Sequence, residues 1–137
     1  LLDGPQPDVG AAALTARAAR AERMAQNAAD GARREREVTA ALRRENPNAT
    51  VQTQSTLRDS SGRIVRDPKT GEARRVDNAV IENGKARTVE TTSPNASKSQ
   101  QLAKEQRVRD AGGDNIRDRS TGKICPVSGV SEVRRCP

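Results

Sequence analysis

The stretch ARRVDNAVIENGKARTVETT, residues 73–92, decides how this chain folds. Asn83-Gly84 at its centre tolerates positive φ at both positions, which a two-residue hairpin turn of type I′ requires. The run Val76, Ala79, Val80 and Ile81 precedes the turn, and KARTVETT follows it, so two antiparallel strands are expected. Upstream, VQTQSTL from Val51 alternates apolar or β-branched with polar residues and reads as a further strand. DSSG then makes a turn, RIV a short strand and DPKTG a second turn. The centre of the chain is an antiparallel meander.

Helices flank it. Ala11 to Ala29 is rich in Ala, Arg, Glu and Gln, strong helix formers. Gly31 punctuates the pattern, and ARREREVTAALRREN continues it or opens a second helix, with Val38, Ala41 and Leu42 as its apolar stripe. Asn46-Pro47-Asn48 ends it, because the residue before Pro is pushed out of the helical region. Residues 1–10 read as a linker. On the other side, Ser93 is an expected N-cap and Pro94 a first helical residue for a helix through KSQQLAKEQRVRD that stops at Gly112-Gly113. NIRDRSTGKICPVSGV then reads as strand, turn, strand. This order suits an α/β sandwich, one mixed sheet flanked by helices.

Composition limits the core. The chain of 137 residues has no Phe, Tyr or Trp, and its six Leu, four Ile and eleven Val fall within the range associated with disorder. The regular succession of strand, turn and helix signals argues instead for a folded domain of modest stability. A formal charge of +7 raises the local concentration of polyanions, leaving nucleic acid, anionic membrane or an acidic protein as partner classes. No run of 18 apolar residues exists and the Ala-rich start lacks the parts of a signal peptide, so stable membrane insertion is not expected. Leu1 in place of Met suggests a fragment of a longer chain.

The sequence contains no histidine. That excludes Ser-His-Asp and Cys-His nucleophile pairs, His-based RNase chemistry and His-containing zinc sites. An enzyme here must work with carboxylates, Lys, Arg or hydroxyls. Cys125 and Cys136 lack CxxC spacing and read as a disulfide or as two idle thiols.

Asp77 and Glu90 lie on strands that the Asn83-Gly84 turn makes neighbours, with Glu90 and Thr92 on one face. Two such carboxylates can hold Mg²⁺ or Mn²⁺ through oxygen, and an ion there can orient water and stabilise charge on a phosphate under attack. Lys98, in the first turn of the next helix, would fold back over them and stabilise the developing charge. Charged residues on strands more often form a solvated face. Asp77, however, sits in an apolar run, where an unpaired acid is costly unless a cation compensates.

An acid in RREREV, RVD on one strand, E-x-T in place of E-x-K on the next, and then TSPNASKSQQLAKEQRVRDAGG resemble the restriction-endonuclease-like, PD-(D/E)XK-type nuclease domains of contact-dependent growth inhibition toxins, the CdiA C-terminal tRNases. The resemblance covers residues 33–123 and is strongest over 75–113. It implies that Asp77 and Glu90 bind the metal, that Thr92 stands at the usual lysine position and that Lys98 is the displaced catalytic lysine. The helix acid is Glu35 or Glu37, with Glu37 preferred slightly because it adjoins Val38 in the apolar stripe.

The resemblance further implies residues 1–32 as a linker and helical appendage of the delivery region, and 33–137 as the nuclease. The effector would be carried on the surface of a producing bacterium and would cleave tRNA in the target-cell cytoplasm, with an acidic immunity protein neutralising it at home and no small-molecule cofactor. Arg107, Arg109, Arg117 and Arg119, together with Lys123, would track a phosphate backbone, although Asp110, Asp114 and Asp118 among them fit a solvated surface as well. A DNase on the same scaffold, a non-enzymatic basic module binding nucleic acid or acidic protein, and a metal-independent RNase using Lys, Arg and Thr are the alternatives.

Overall fold

The computed structural model describes residues 9–137, Val9 by its backbone alone. Residues 1–8 of the expected linker lie outside the described residues, while Val9 and Gly10 already belong to a helix. The chain forms two compact units, Leu1–Arg33 and Arg34–Pro137. In the first, the described residues are helical and almost all exposed, Leu14 and Met24 included. With so few large apolar side chains, this stretch owes its helicity to Ala, Arg, Glu and Gln propensity.

The elements are α1 (Val9–Glu45), β1 (Thr50–Thr56), β2 (Arg75–Glu82), β3 (Lys85–Thr92), α2 (Ser99–Asp110), β4 (Asn115–Arg117), β5 (Ile124–Pro126) and β6 (Glu132–Arg135). A single helix therefore runs through Gly31, where an added Cβ would meet nothing within 4 Å. β1, β2 and β3 are the antiparallel meander, closed by Asn83 and Gly84 at φ 54 and 74. β6 pairs in parallel with β3, giving a mixed sheet in the order β1-β2-β3-β6. β6, EVRR, carries no strand signal in sequence, because its single apolar residue leaves no alternation. β4 and β5 form a separate two-stranded ladder, and the expected RIV strand reduces to isolated bridges, including Arg58 with Ile64.

Two apolar clusters sandwich the sheet. Val38 and Leu42 of α1 pack with Val51, Val80 and Val89, while Val108 of α2 packs with Leu57, Ala79, Ile81, Ala86, Ile116, Cys125 and Val127. The set comes from successive residues of β2 because strand side chains alternate between faces. Cys125 and Cys136 are unbridged thiols, one in the second cluster and the other packed against the first.

α2 begins at Ser99 rather than at Pro94. Nη1 of Arg135 donates to the carbonyls of Ser93, Pro94 and Ala96 at 3.2, 3.3 and 2.6 Å, which gathers residues 93–96 into a turn instead of a first helical turn. Lys98 consequently occupies the N-cap position.

Leu42 is fully buried between helix and sheet. Leu42→Ala should lower unfolding stability by about 2–5 kcal/mol in urea titrations, whereas Leu14→Ala, at a position 63% exposed, should change it by less than about 0.5 kcal/mol.

Candidate active site

The β2–β3 ladder runs from Glu82 opposite Lys85 to Asn78 opposite Val89 and stops there. Beyond that point β2 keeps only β1 as a neighbour and β3 pairs with β6. Carboxylates fill the parting. The backbone N–H of Asp77 donates to Oε1 of Glu90 at 3.1 Å, and the N–H of Thr91 donates to Oδ2 of Asp77 at 2.9 Å. Each acid thus satisfies a main-chain donor that the broken ladder leaves behind, and a charged acceptor makes the stronger kind of hydrogen bond.

Glu90 is 2% exposed. Nη2 of Arg74 lies 2.9 Å from its Oε1, an ion pair without hydrogen-bond alignment, and Nζ of Lys98 lies 3.9 Å from its Oε2. Burial nonetheless dominates and pushes the Glu90 carboxyl up to about 7; the charge of Arg74 opposes that rise and Asp77 adds to it. Arg74 is held in turn by Glu105 of α2, 3.3 Å from its Nε. Glu105 also accepts from the N–H and hydroxyl of Ser131 at 2.6 and 2.7 Å, so a buried polar network leads from Glu90 through Arg74 to the entrance of β6.

Of the two helix acids, Glu35 stands beside Asp77, whereas Glu37, the slightly preferred one, meets Cys136. Burial, followed by the charge of Asp77 and a hydrogen bond between the two carboxyls, raises the Glu35 carboxyl above its ordinary value. Its placement is built. Asn78, next to Asp77 and fully buried, donates from Nδ2 to Oγ1 of Thr39 at 2.9 Å, and that hydroxyl donates to the Glu35 carbonyl at 2.7 Å. Glu35 precedes Val38, Thr39 and Leu42 by three, four and seven residues, the spacing of one helix face. Glu37 adjoins Val38 in sequence but stands about 100° round the helix from it, and there it accepts from Sγ of Cys136 at 3.0 Å.

Lys98 also donates to Oε1 of Gln101 at 2.9 Å and borders an open groove of about 580 Å³ lined by residues of the 94–99 segment, Leu102, Val133 and Arg135. Thr92 is buried two positions beyond Glu90, and its carbonyl accepts from the N–H of Cys136. The structure thus collects Glu35, Asp77, Glu90 and Lys98, with Arg74 as a member that the sequence reading passed over. Its only signal was an arginine three residues before Asp77, just ahead of β2.

The four arginines expected to track phosphates do not form one row. Arg107 donates from Nε and Nη2 to the fully buried carboxylate of Asp67 at 2.9 and 2.8 Å, which pins the 67–71 turn to α2 and holds Asp67 far below its ordinary value. That ion pair gives Arg107 a structural role. Arg109 donates to the Val127 carbonyl at 3.2 Å. Arg117 and Arg119 lie elsewhere, beside β1.

Among the described residues no group of three or more acidic or cysteine side chains is arranged to hold a metal ion by itself. The donor chemistry still suits Mg²⁺ or Mn²⁺, which prefer oxygen and commonly take one or two carboxylates, completing their shell with water and substrate phosphate. The electrostatics support this fit, since burial raises the proton affinity of Glu35 and Glu90, the charge of Asp77 adds to it, and a bound cation offsets both as a proton does. No family model matches the chain, and comparison with curated proteins and with solved structures gives no match either.

The folded chain holds protons on Glu90 that the unfolded chain, with an ordinary value of 4.5, releases. Stability should therefore be fully supported below about pH 4.5 as far as Glu90 is concerned and should decline as pH rises through about 7. Thermal melts from pH 5 to 8 should show this decline, and Glu90→Gln should flatten it.

Proposed function

We propose that the chain is a metal-dependent ribonuclease with a restriction-endonuclease-like core, the toxin domain of a contact-dependent growth inhibition effector of the CdiA type. It would act on tRNA in the cytoplasm of a target bacterium, after carriage on the surface of the producing cell, where an acidic immunity protein neutralises it. The observation that carries this reading is the convergence of Glu35, Asp77, Glu90 and Lys98 where β2 and β3 part. A mixed sheet with helices on both faces and an acid on each of two adjacent central strands supports it, as does the +7 charge.

In this reading Asp77 and Glu90 hold the divalent ion, which when bound supplies positive charge to the phosphoryl oxygens and acidifies attacking water. Glu35, whose proton affinity is raised, accepts the proton of that water as its oxygen bonds to phosphorus and the bond to the leaving oxygen breaks. Lys98 stabilises the negative charge that develops on the phosphoryl group. Arg74 orients Glu90 and favours its ionised form.

A second reading has one specific observation in its favour. Arg74 already places a cation 2.9 Å from Glu90, so Glu90, with a value near 7, suits a general base in a metal-independent RNase that uses Arg74 and Lys98 for charge. Incubation with total RNA and with plasmid DNA, in Mg²⁺ or in EDTA, separates the two readings from each other and from a DNase. Under the first, RNA is cut in Mg²⁺ and spared in EDTA. Mg²⁺ should also raise the melting temperature more at pH 8 than at pH 5, because it binds ionised carboxylates.

Asp77→Asn, Glu35→Gln and Lys98→Ala should each lower turnover on RNA by about 10²-fold or more while the far-ultraviolet circular dichroism stays parental. Glu37→Gln should retain near-parental turnover. Equal loss in Glu35→Gln and Glu37→Gln would remove the role given to the Glu35 face. Co-expression with the cognate acidic protein should yield a tight complex whose affinity falls with salt.

A further inference from the structure

Three arginines meet beside β1 without a carboxylate among them. Arg58, Arg117 and Arg119 line a small pocket of about 100 Å³ with Gln52 and Gln54. Each guanidinium is steadied by a main-chain carbonyl: Arg58 by Gly62 at 2.9 Å, Arg117 by Gly122 at 3.0 Å and Arg119 by Gln54. A neutral carbonyl orients a guanidinium but leaves its charge uncompensated. The nearest acids in sequence do not line the pocket and are engaged in their own turns, Asp59 accepting from the N–H groups of Ser61 and Arg63 and Asp118 accepting from the N–H and hydroxyl of Ser120.

The pocket is fixed by buried structure. Gln52, 8% exposed, donates from Nε2 to the hydroxyl of Ser55 and to the carbonyl of Arg117, both at 2.8 Å, and accepts at Oε1 from the N–H of Arg119 at 3.1 Å. One side chain thus ties the backbone of both arginines to β1. Gln54 has φ 56, a left-handed conformation uncommon outside glycine, which turns its carbonyl to Arg119. Backbone held in such a conformation marks a place where the surroundings over-determine it.

We propose that this pocket binds a single phosphate group, that of a nucleotide next to the scissile one in a polynucleotide substrate. The proposal rests on the phosphodiesterase reading of the carboxylate site. Three guanidiniums match the charge and the tetrahedral oxygens of a phosphate, and the volume is well below that of sites for drug-sized ligands, so the pocket admits the anion and not a nucleoside. Its position fits a chain that continues past the cut. Gln54 lies opposite Asp77, between the pairs Thr53 with Asn78 and Ser55 with Val76, one strand spacing of about 5 Å away.

The test titrates the full chain with inorganic phosphate, followed by calorimetry, and separately with a single-stranded RNA oligonucleotide over a range of salt. Arg58→Gln and Arg117→Gln, which keep Gln52 and Gln54 intact, should each weaken phosphate binding by about tenfold or more, whereas Asp77→Asn should retain it. The slope of log affinity for RNA against log salt should fall by about 0.7 for each arginine removed. No saturable phosphate binding by the parent, or phosphate affinity unchanged in both arginine variants, overturns the pocket. Loss of phosphate binding with an unchanged RNA slope overturns its assignment to the substrate backbone. If the parent cuts no nucleic acid, the proposed nuclease fails on its own, and the two titrations still judge the pocket.

Discussion

Everything at the site depends on the parting of β2 from β3 after the Asn78–Val89 pair. A sheet that stayed zipped would pair the N–H groups of Asp77 and Thr91 with carbonyls and leave both acids as ordinary strand side chains. Once the strands diverge, those N–H groups need acceptors, and the carboxylates of Glu90 and Asp77 supply them across the gap. The acids are thereby fixed by the fold and close together, and burial of Glu90, with the charge of Asp77 adding to it, raises the proton affinity of that carboxyl. β1 and β6 keep the parted strands in the sheet by pairing with their outer edges.

Holding Glu90 at 2% exposure carries an electrostatic penalty, and the structure offsets it with cations rather than by exposure. Arg74 lies between Glu90 and Glu105, and Glu105 fastens α2 to the start of β6 through Ser131. The site and the packing of the second layer are therefore one network. The chain has no aromatic side chain to fill its interior, and its clusters are built of Val, Ala, Leu and Ile. Buried polar bonds such as Asn78 to Thr39 and Gln52 to Arg117 set the register between layers that bulky side chains would otherwise specify.

The hairpin around Asn83-Gly84, the meander and the helix after Val9 were legible because each rests on local chemistry: a turn dipeptide, alternation, and runs of helix formers. The start of α2 was not. Ser93-Pro94 has the composition of a helix start, but Arg135, about forty residues later in the chain, captures the carbonyls that a helix would have used. β6 has no local signature for a related reason: a four-residue edge strand joined in parallel to β3 draws its order from its partner.

Asp77, Glu90 and Lys98 could be singled out from sequence because a hairpin fixes which strand residues are neighbours and a short connection limits where Lys98 can reach. The choice of Glu35 over Glu37 was present in the spacing to Val38, Thr39 and Leu42, since helix faces repeat every three or four residues and not with the adjacent one. The roles of Arg74 and Arg107, and the meeting of Arg58 with Arg117 and Arg119, were decided by tertiary structure alone. Sequence gave each of them a charge; which carboxylate or carbonyl that charge met depended on contacts between segments 31 to 65 residues apart, which no local pattern encodes.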